Sequence, residues 1–248
     1  MVPRRRLPAP DGRSIMTTIA ANLQSVRERI RRACMAAGRD VNEVTLLAVS
    51  KTFGPDAVRE AHAAGASAFG ENYIQEAVEK RALLADLPLQ WHCIGPIQSN
   101  KTRLVATHFD WAHTVDRLKI AQRLSEQRPA GLPPLQVCIQ VNIDGGPSKS
   151  GVAPGEALAL AREMYGLPHL KLRGLMTIPE PLEDLAAQLA VHRQARLLFE
   201  DLREAGLPLD TLSMGMTADL EAAIQAGSTL VRVGTAIFGG RPSPPARG

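Results

Sequence analysis

Eight short apolar runs alternate with helix-patterned segments along the 248-residue chain, and few folds accept that rhythm. Between Thr18 and Gly38, the residues Ile19, Leu23, Val26 and Ile30 recur at helical spacing. A strand-like run follows at Val44–Lys51, and Pro55 then opens a helix to about Ala64, since proline suits a first helical turn. Further strands are predicted near Ala68–Asn72, Leu89–Gly95, Trp111–Val115, Leu135–Asn142, Lys171–Ile178, Thr211–Met216 and Leu230–Phe238. Helices are expected between them, the later ones over Pro154–Tyr165, Leu182–Ala205 and Ala218–Ala226. Continuous apolar runs mark parallel strands covered on their outer face. An open doubly wound sheet competes, but eight regular units in one chain favour an α/β (β/α)8 TIM barrel, a single domain with an additional N-terminal helix.

The domain is expected over residues 16–241. Residues 1–15, rich in Pro and Arg and without periodicity, read as a disordered or mis-started extension, and 242–248 as a flexible tail. The Gly-Gly-Arg-Pro-Ser-Pro-Pro segment after Phe238 cannot form a closing eighth helix, so the N-terminal helix is expected to cover that gap.

Composition narrows the function classes. No apolar run approaches the roughly 18 residues of a membrane span, which argues against a membrane protein. The formal net charge of +4 owes part of its excess to Arg4, Arg5 and Arg6, so it is poor ground for nucleic-acid binding. Cys34, Cys93 and Cys138 are odd in number and widely spaced. They read as reduced residues of a cytoplasmic protein, not as a disulfide framework or a metal site. The chain start resembles neither a secretory signal nor a clear transit peptide.

Three features carry the chemistry. Lys51 ends the first predicted strand, at the barrel face where ligands bind. Position alone leaves two readings open, a solvated strand-end lysine or an amine that forms a Schiff base. In Leu230-Val-Arg-Val-Gly-Thr235 the side chains alternate, so Val231 and Val233 face the helices while Arg232 and Gly234 face the barrel interior. An interior guanidinium needs an acceptor, either a buried carboxylate or a ligand. Around the seventh strand, Ser213-Met214-Gly215-Met216-Thr217 places a glycine and a hydroxyl where strand hands over to helix, and Gly234-Thr235 follows at the next strand. Barrels bind phosphate at these two loops, although Thr217 also suits a plain helix cap.

Together with Ala48-Val-Ser-Lys51, Phe69-Gly-Glu-Asn-Tyr73, Trp91-His-Cys-Ile-Gly-Pro-Ile-Gln98, Ser148-Lys-Ser-Gly151 and Gly174-Leu-Met-Thr177, these segments resemble the pyridoxal phosphate homeostasis protein family, relatives of the alanine racemase barrel. The likeness spans Met16 to Arg241 in order. It implies that Lys51 carries pyridoxal 5′-phosphate as an internal aldimine, that Arg232 faces the pyridine nitrogen, and that Thr217, Gly234 and Thr235 lie at the phosphate, with Met214 and Gly215 also expected among the cofactor-binding residues. Thr217 stands where the family commonly has serine, and the hydroxyl is kept. Asn72 is carried over as a cofactor neighbour, against the alternative of a helix cap. His92 either points toward the ring or fills the core, and Lys149 is either a second anion contact or a solvated loop lysine.

The expected role is a cytoplasmic, non-enzymatic carrier that stores, buffers or delivers the cofactor, with apo-enzymes that need it as possible recipients. Arginine is always a donor, so Arg232 keeps the pyridine nitrogen unprotonated and weakens the electron sink. The racemases share that arginine, but they add a domain supplying an opposite-face base across a dimer. The chain stops soon after its eighth strand, so a monomer is expected, with only Tyr73 and His92 to stand in for the second base. A low-activity amino-acid racemase is the alternative, and a cofactor-free Schiff-base aldolase a third.

Overall fold

The structure, a computed structural model, describes residues 13–146 and 150–240, with side chains from Thr18 onward. The expectations attached to Arg4–Arg6, Lys149 and the 242–248 tail lie outside the described residues. Helix α1 (Arg13–Ala36) already begins inside the stretch that the sequence sets apart as an extension.

Eight parallel strands close a barrel in chain order, each paired with its sequence neighbours and the last with the first. They are β1 (Thr45–Val49), β2 (Ala68–Glu71), β3 (Gln90–Cys93), β4 (Trp111–Val115), β5 (Leu135–Val141), β6 (Leu170–Thr177), β7 (Thr211–Ser213) and β8 (Leu230–Val233). Around them lie α2 (Pro55–Ala63), α3 (Ile74–Leu83), α4 (Thr102–His108), α5 (Leu118–Gln127), α6 (Ala157–Tyr165), α7 (Leu185–Glu204), α8 (Leu220–Gln225) and α9 (Thr235–Phe238). Pro55 occupies the first turn of α2, as expected.

The alternation along each strand sorts two environments. Ala48, Phe69, Ala112, Val231 and Val233 join the large core beneath the helices. Leu47, Val49, Ala68, Ile94 and Leu230 form a smaller apolar cluster inside the barrel, and Trp111, Cys138 and Met176 form another. At the strands' N-terminal end, Arg173 pairs with Asp210 at 2.7 Å and lies over the Trp111 ring, closing the floor.

Two expectations about strand ends change. The last strand was expected to run to Phe238, but it stops at Val233. Gly234 turns to φ −116°, ψ −73°, and its carbonyl accepts from the Ile237 and Phe238 N–H groups, so the chain coils into α9. Lys51 does not end β1 either, since that strand stops at Val49 and Lys51 lies in the turn beyond it. The expected role of the N-terminal helix holds: α1 packs against α2, α8 and α9, and Asn22 Nδ2 donates to Ile237 O at 3.1 Å. It covers the flank where a full eighth helix would otherwise lie.

Candidate functional site

A cavity of about 340 Å³ opens at the C-terminal ends of the strands. That is a size suited to a small cofactor. Six of the residues singled out from the sequence converge on it: Lys51, Asn72, Thr217, Arg232, Gly234 and Thr235. Three others lie off its wall. Met214 is fully buried in the large core, Gly215 shapes the turn after β7 with φ +94°, and His92 lies deeper in the barrel. Val49, Phe53, Ile94, Ile178 and Met216 supply an apolar lining that sequence reasoning did not single out.

Arg232 is 4% exposed, and its acceptors are neutral, not the carboxylate that an interior guanidinium suggested. Its Nη1 donates to Ser213 O and Oγ at 2.8 Å, and Nη2 donates to Thr177 O at 2.9 Å. Burial pulls its pKa down to about 10, against the opposing charge of Asp219, so it stays a cation at neutral pH.

A line of hydrogen bonds continues from it through the barrel. The Ser213 hydroxyl lies 3.0 Å from His113 Nδ1, His113 Nε2 lies 2.9 Å from His92 Nδ1, and His92 Nε2 lies 3.0 Å from Gln90 Oε1. With the Gln90 oxygen accepting, each imidazole donates through Nε2 and accepts at Nδ1, so one tautomer satisfies the whole line. Burial depresses both rings, His92 to about 3 and His113 well below its ordinary value, with the neighbouring His92 and Arg232 charges adding to the effect on His113. Both are neutral. His92 therefore points inward, but as part of the support beneath Arg232. His113 and Ser213 share that inward face by strand alternation, the signal that could have found them.

On the opposite side of the cavity, Ser50 O accepts from Phe53 N at 3.1 Å, closing a four-residue turn with Lys51 at its second position. Thr52, at the third, has φ +68°, the one non-glycine residue with positive φ among the described residues. Lys80 on α3 is buried against this turn. Its Nζ donates to Ser50 O at 3.0 Å, Glu71 Oε1 at 2.6 Å and Glu76 Oε1 at 3.1 Å. Glu71 Oε1 also accepts from Ser50 Oγ at 2.6 Å, and Glu76 Oε1 from Thr52 N at 3.0 Å. Burial raises the Glu71 pKa, with Lys80 and Ser50 pulling against it. Glu76 and Lys80 stand four residues apart on a helix, a pairing legible in sequence. Their reach to Ser50 is not.

The β7–β8 side is built differently. A Cβ on Gly215 would lie 2.4 Å from Ala223 Cβ, and one on Gly234 would lie 3.1 Å from Val49 O. Only glycine lets the backbone pass at the first of these points. Asp219, not Thr217, stands at the N-cap position of α8, so the plain helix-cap reading of Thr217 does not hold. Asp219 Oδ1 accepts from Met216 N at 2.7 Å, Asp219 Oδ2 lies 2.9 Å from His192 Nε2, and Arg29 Nη2 donates to Thr217 O at 3.0 Å. The loop is thus pinned from behind, and Thr217 remains on the cavity wall. Asn72 Oδ1 is buried without a hydrogen-bond partner, and Asn72 lines the same cavity. Among the described residues no helix is long and apolar enough to cross a membrane, and no cluster of side chains could hold a metal ion.

Comparison with known proteins agrees with this geometry. Residues 19–242 match the family model of the alanine racemase N-terminal domain. The chain is 65% identical over 226 residues to the pyridoxal phosphate homeostasis protein of Pseudomonas aeruginosa, covering 91% of this chain and 97% of that one. It is 54% identical over 229 residues to the protein of the same name in Escherichia coli K12, covering 91% and 98%. Among solved structures it is similar to PipY of Synechococcus elongatus PCC7942 with PLP bound, with a TM-score of 0.78, 38% identity, and coverage of 89% of this chain and 99% of that one. A closed eight-stranded barrel, a lysine and an arginine on one cavity, and near-complete coverage at high identity place this chain in the pyridoxal phosphate homeostasis protein family.

Proposed function

We propose that this protein binds pyridoxal 5′-phosphate at the barrel mouth, covalently and reversibly through Lys51, and serves as a carrier that stores or delivers it without substantial catalysis. The observation that carries the proposal is the convergence of Lys51, the buried Arg232, Thr217 and Thr235 on a single cavity. The residues present fit the group. Asn72 Oδ1 offers a buried acceptor that lacks a partner, and the missing side chain at Gly234 leaves the backbone open to close approach. When bound, the cofactor supplies an aldehyde that condenses with a primary amine, releasing one water.

Each residue then has a task. Lys51 supplies the nucleophilic amine. Arg232, held by Ser213 and Thr177 and cationic at neutral pH, donates toward the pyridine nitrogen. Thr217, Gly234 and Thr235 hold the phosphate through hydroxyls and backbone N–H groups. Phe53 and Ile94 supply apolar contact for the ring.

The carrier reading, as against a racemase, is supported by what lines the cavity. Among the described residues on its wall, Lys51 and Arg232 are the only basic side chains, and no Asp, Glu, His, Cys or Tyr joins them as a second proton-transfer group. Tyr73 is 52% exposed and off the wall, and His92 is buried beneath it. The proposal extends to a cytoplasmic monomer, and the three buried, unpaired cysteines fit a reducing compartment. Adding pyridoxal 5′-phosphate, reducing with borohydride and mapping peptides tests the site, with modification expected at Lys51 and absent in Lys51→Ala. A reduced adduct at another lysine would overturn it. Exchange of the Cα hydrogen of amino acids for deuterium at an ordinary enzyme rate would overturn the carrier role.

A further inference from the structure

We propose that Glu71, Glu76 and Lys80 are positioning residues, which clamp the Ser50–Phe53 turn in a strained conformation and so present Lys51 to the cavity. This rests on the covalent role proposed for Lys51 and adds how the chain prepares that lysine.

The turn is the starting point. A four-residue turn closed by Ser50 O and Phe53 N, with positive φ at its third residue, follows the type II pattern, and that position ordinarily takes glycine. Thr52 fills it with a β-branched side chain, for which φ +68° is unfavourable. Left to itself, this sequence would favour another local conformation. Lys51 would then leave the cavity wall, because it sits at the second position of the same turn.

The three charged groups hold the turn at three points. Ser50 is fixed at its hydroxyl by Glu71 and at its carbonyl by Lys80. The Thr52 N–H, which a type II turn leaves without an internal partner, is taken by Glu76. Lys80 joins the two carboxylates, so loss of any one loosens the other two. Lys80 and Glu71 are 4% and 0% exposed, and such a pair holds its geometry better than a solvated one. None of the three lines the cavity, so their action runs through the backbone that carries Lys51.

Two variants and a relief substitution test this. Glu76→Ala removes a half-exposed side chain and the acceptor for Thr52 N, so the fold is kept, whereas Lys80→Arg keeps the charge but not the point geometry. In the ligand-free protein, a brief pulse of acetic anhydride followed by peptide mass spectrometry reads the reactivity of Lys51, with the exposed Lys119 and Lys171 as internal references. The same proteins are mixed with pyridoxal 5′-phosphate and the rate of borohydride-trappable attachment is followed. Loss of one ordinary hydrogen bond corresponds to about a fivefold change, so Glu76→Ala is expected to lower the attachment rate by about that factor and to alter the pH profile of Lys51 acetylation relative to the references. Thr52→Gly, which accepts the positive φ without strain, is expected to return the Glu76→Ala protein most of the way to the parent rate. Unchanged rates and pH profiles in Glu76→Ala and Lys80→Arg overturn the positioning role, as does a Glu76→Ala defect that Thr52→Gly fails to relieve. Failure of the parent protein itself to attach the cofactor at Lys51 defeats the underlying function instead, so the two failures are separable.

Discussion

On the β1–β2 side of the cavity a strained backbone turn is held by three charged side chains, while on the β7–β8 side glycines do the turning and neutral groups hold the cation. The Lys51 side uses Lys80, Glu71 and Glu76 against a threonine at φ +68°. The Arg232 side uses carbonyl and hydroxyl oxygens, two neutral histidines, and Gly215 at φ +94°. The chemistry proposed for each side accounts for the difference. A lysine that must change its covalent partner needs a fixed approach direction, which long, directional ion pairs can set. An arginine that must remain a donor to its ligand is held here by neutral oxygens, whereas a carboxylate directly beneath it would compete with the ligand for its N–H groups.

The largest expected break in this contrast comes from Lys80→Met. It leaves Glu71 buried without its cation, at a cost of about 3–5 kcal/mol at neutral pH, read from urea unfolding. The cost should shrink in acid. Burial, first among its causes, raises the Glu71 pKa in the folded state. Its contribution is therefore full below about 4.3 and is lost as pH rises through the folded value, and removing Lys80 extends that loss upward. A deficit that stays constant with pH would show that Glu71 is not the group left stranded.

Next in size, Gly215→Ala strikes the other side. Positive φ and a Cβ 2.4 Å from Ala223 Cβ together predict a loss of about 2–4 kcal/mol. Gly155→Ala, with open space around it, serves as the control and should change little. Equal melting temperatures for the two variants would mean that the β7 turn can move aside.

The buried histidines give a pH signature of opposite sign to that of Glu71. His92 and His113 are depressed by burial, so the folded state binds fewer protons than the unfolded one. Their stabilisation is complete above about 6.5 and is lost as pH falls toward the folded values, at about 1.4 kcal/mol per pH unit for each ring. Replacing His113 by Gln should remove about 1.4 kcal/mol per pH unit from the slope of stability against pH between about 6 and 4. An unchanged slope would show that the rings take up protons in the folded barrel. The smallest effect belongs to Thr217→Val, expected to weaken pyridoxal 5′-phosphate binding about tenfold in an equilibrium titration while the unfolding midpoint holds. An unaltered titration would remove Thr217 from the phosphate contacts.

The parts of the site that sequence made visible depend on short-range pattern. The inward direction of Arg232 follows from strict alternation between Val231 and Val233, and both valines do face the helices. Lys51 was legible as a rim residue although its strand ends two positions earlier, because element order places it at that face in either case. The sequence left His92 open between the ring and the core and did not show it as a support for Arg232, since its partner His113 lies on the next strand and Ser213 lies 100 residues beyond that. The run of the last strand to Phe238 misled because Ala236, Ile237 and Phe238 are apolar in a strand and in a buried helical turn alike.

Local chemistry alone, then, determined the order of eight strands, their outward apolar faces and the candidate amine and cation at one rim, since each of these is written in spacings of two to four residues. Tertiary structure decided which of those residues share a cavity, that the acceptors of Arg232 are uncharged, and that Lys80 reaches a turn 30 residues away in sequence. Barrel closure is the reason. It brings β1 against β8 and fills the interior with side chains from distant strands, so those contacts exist only once all eight strands are in place.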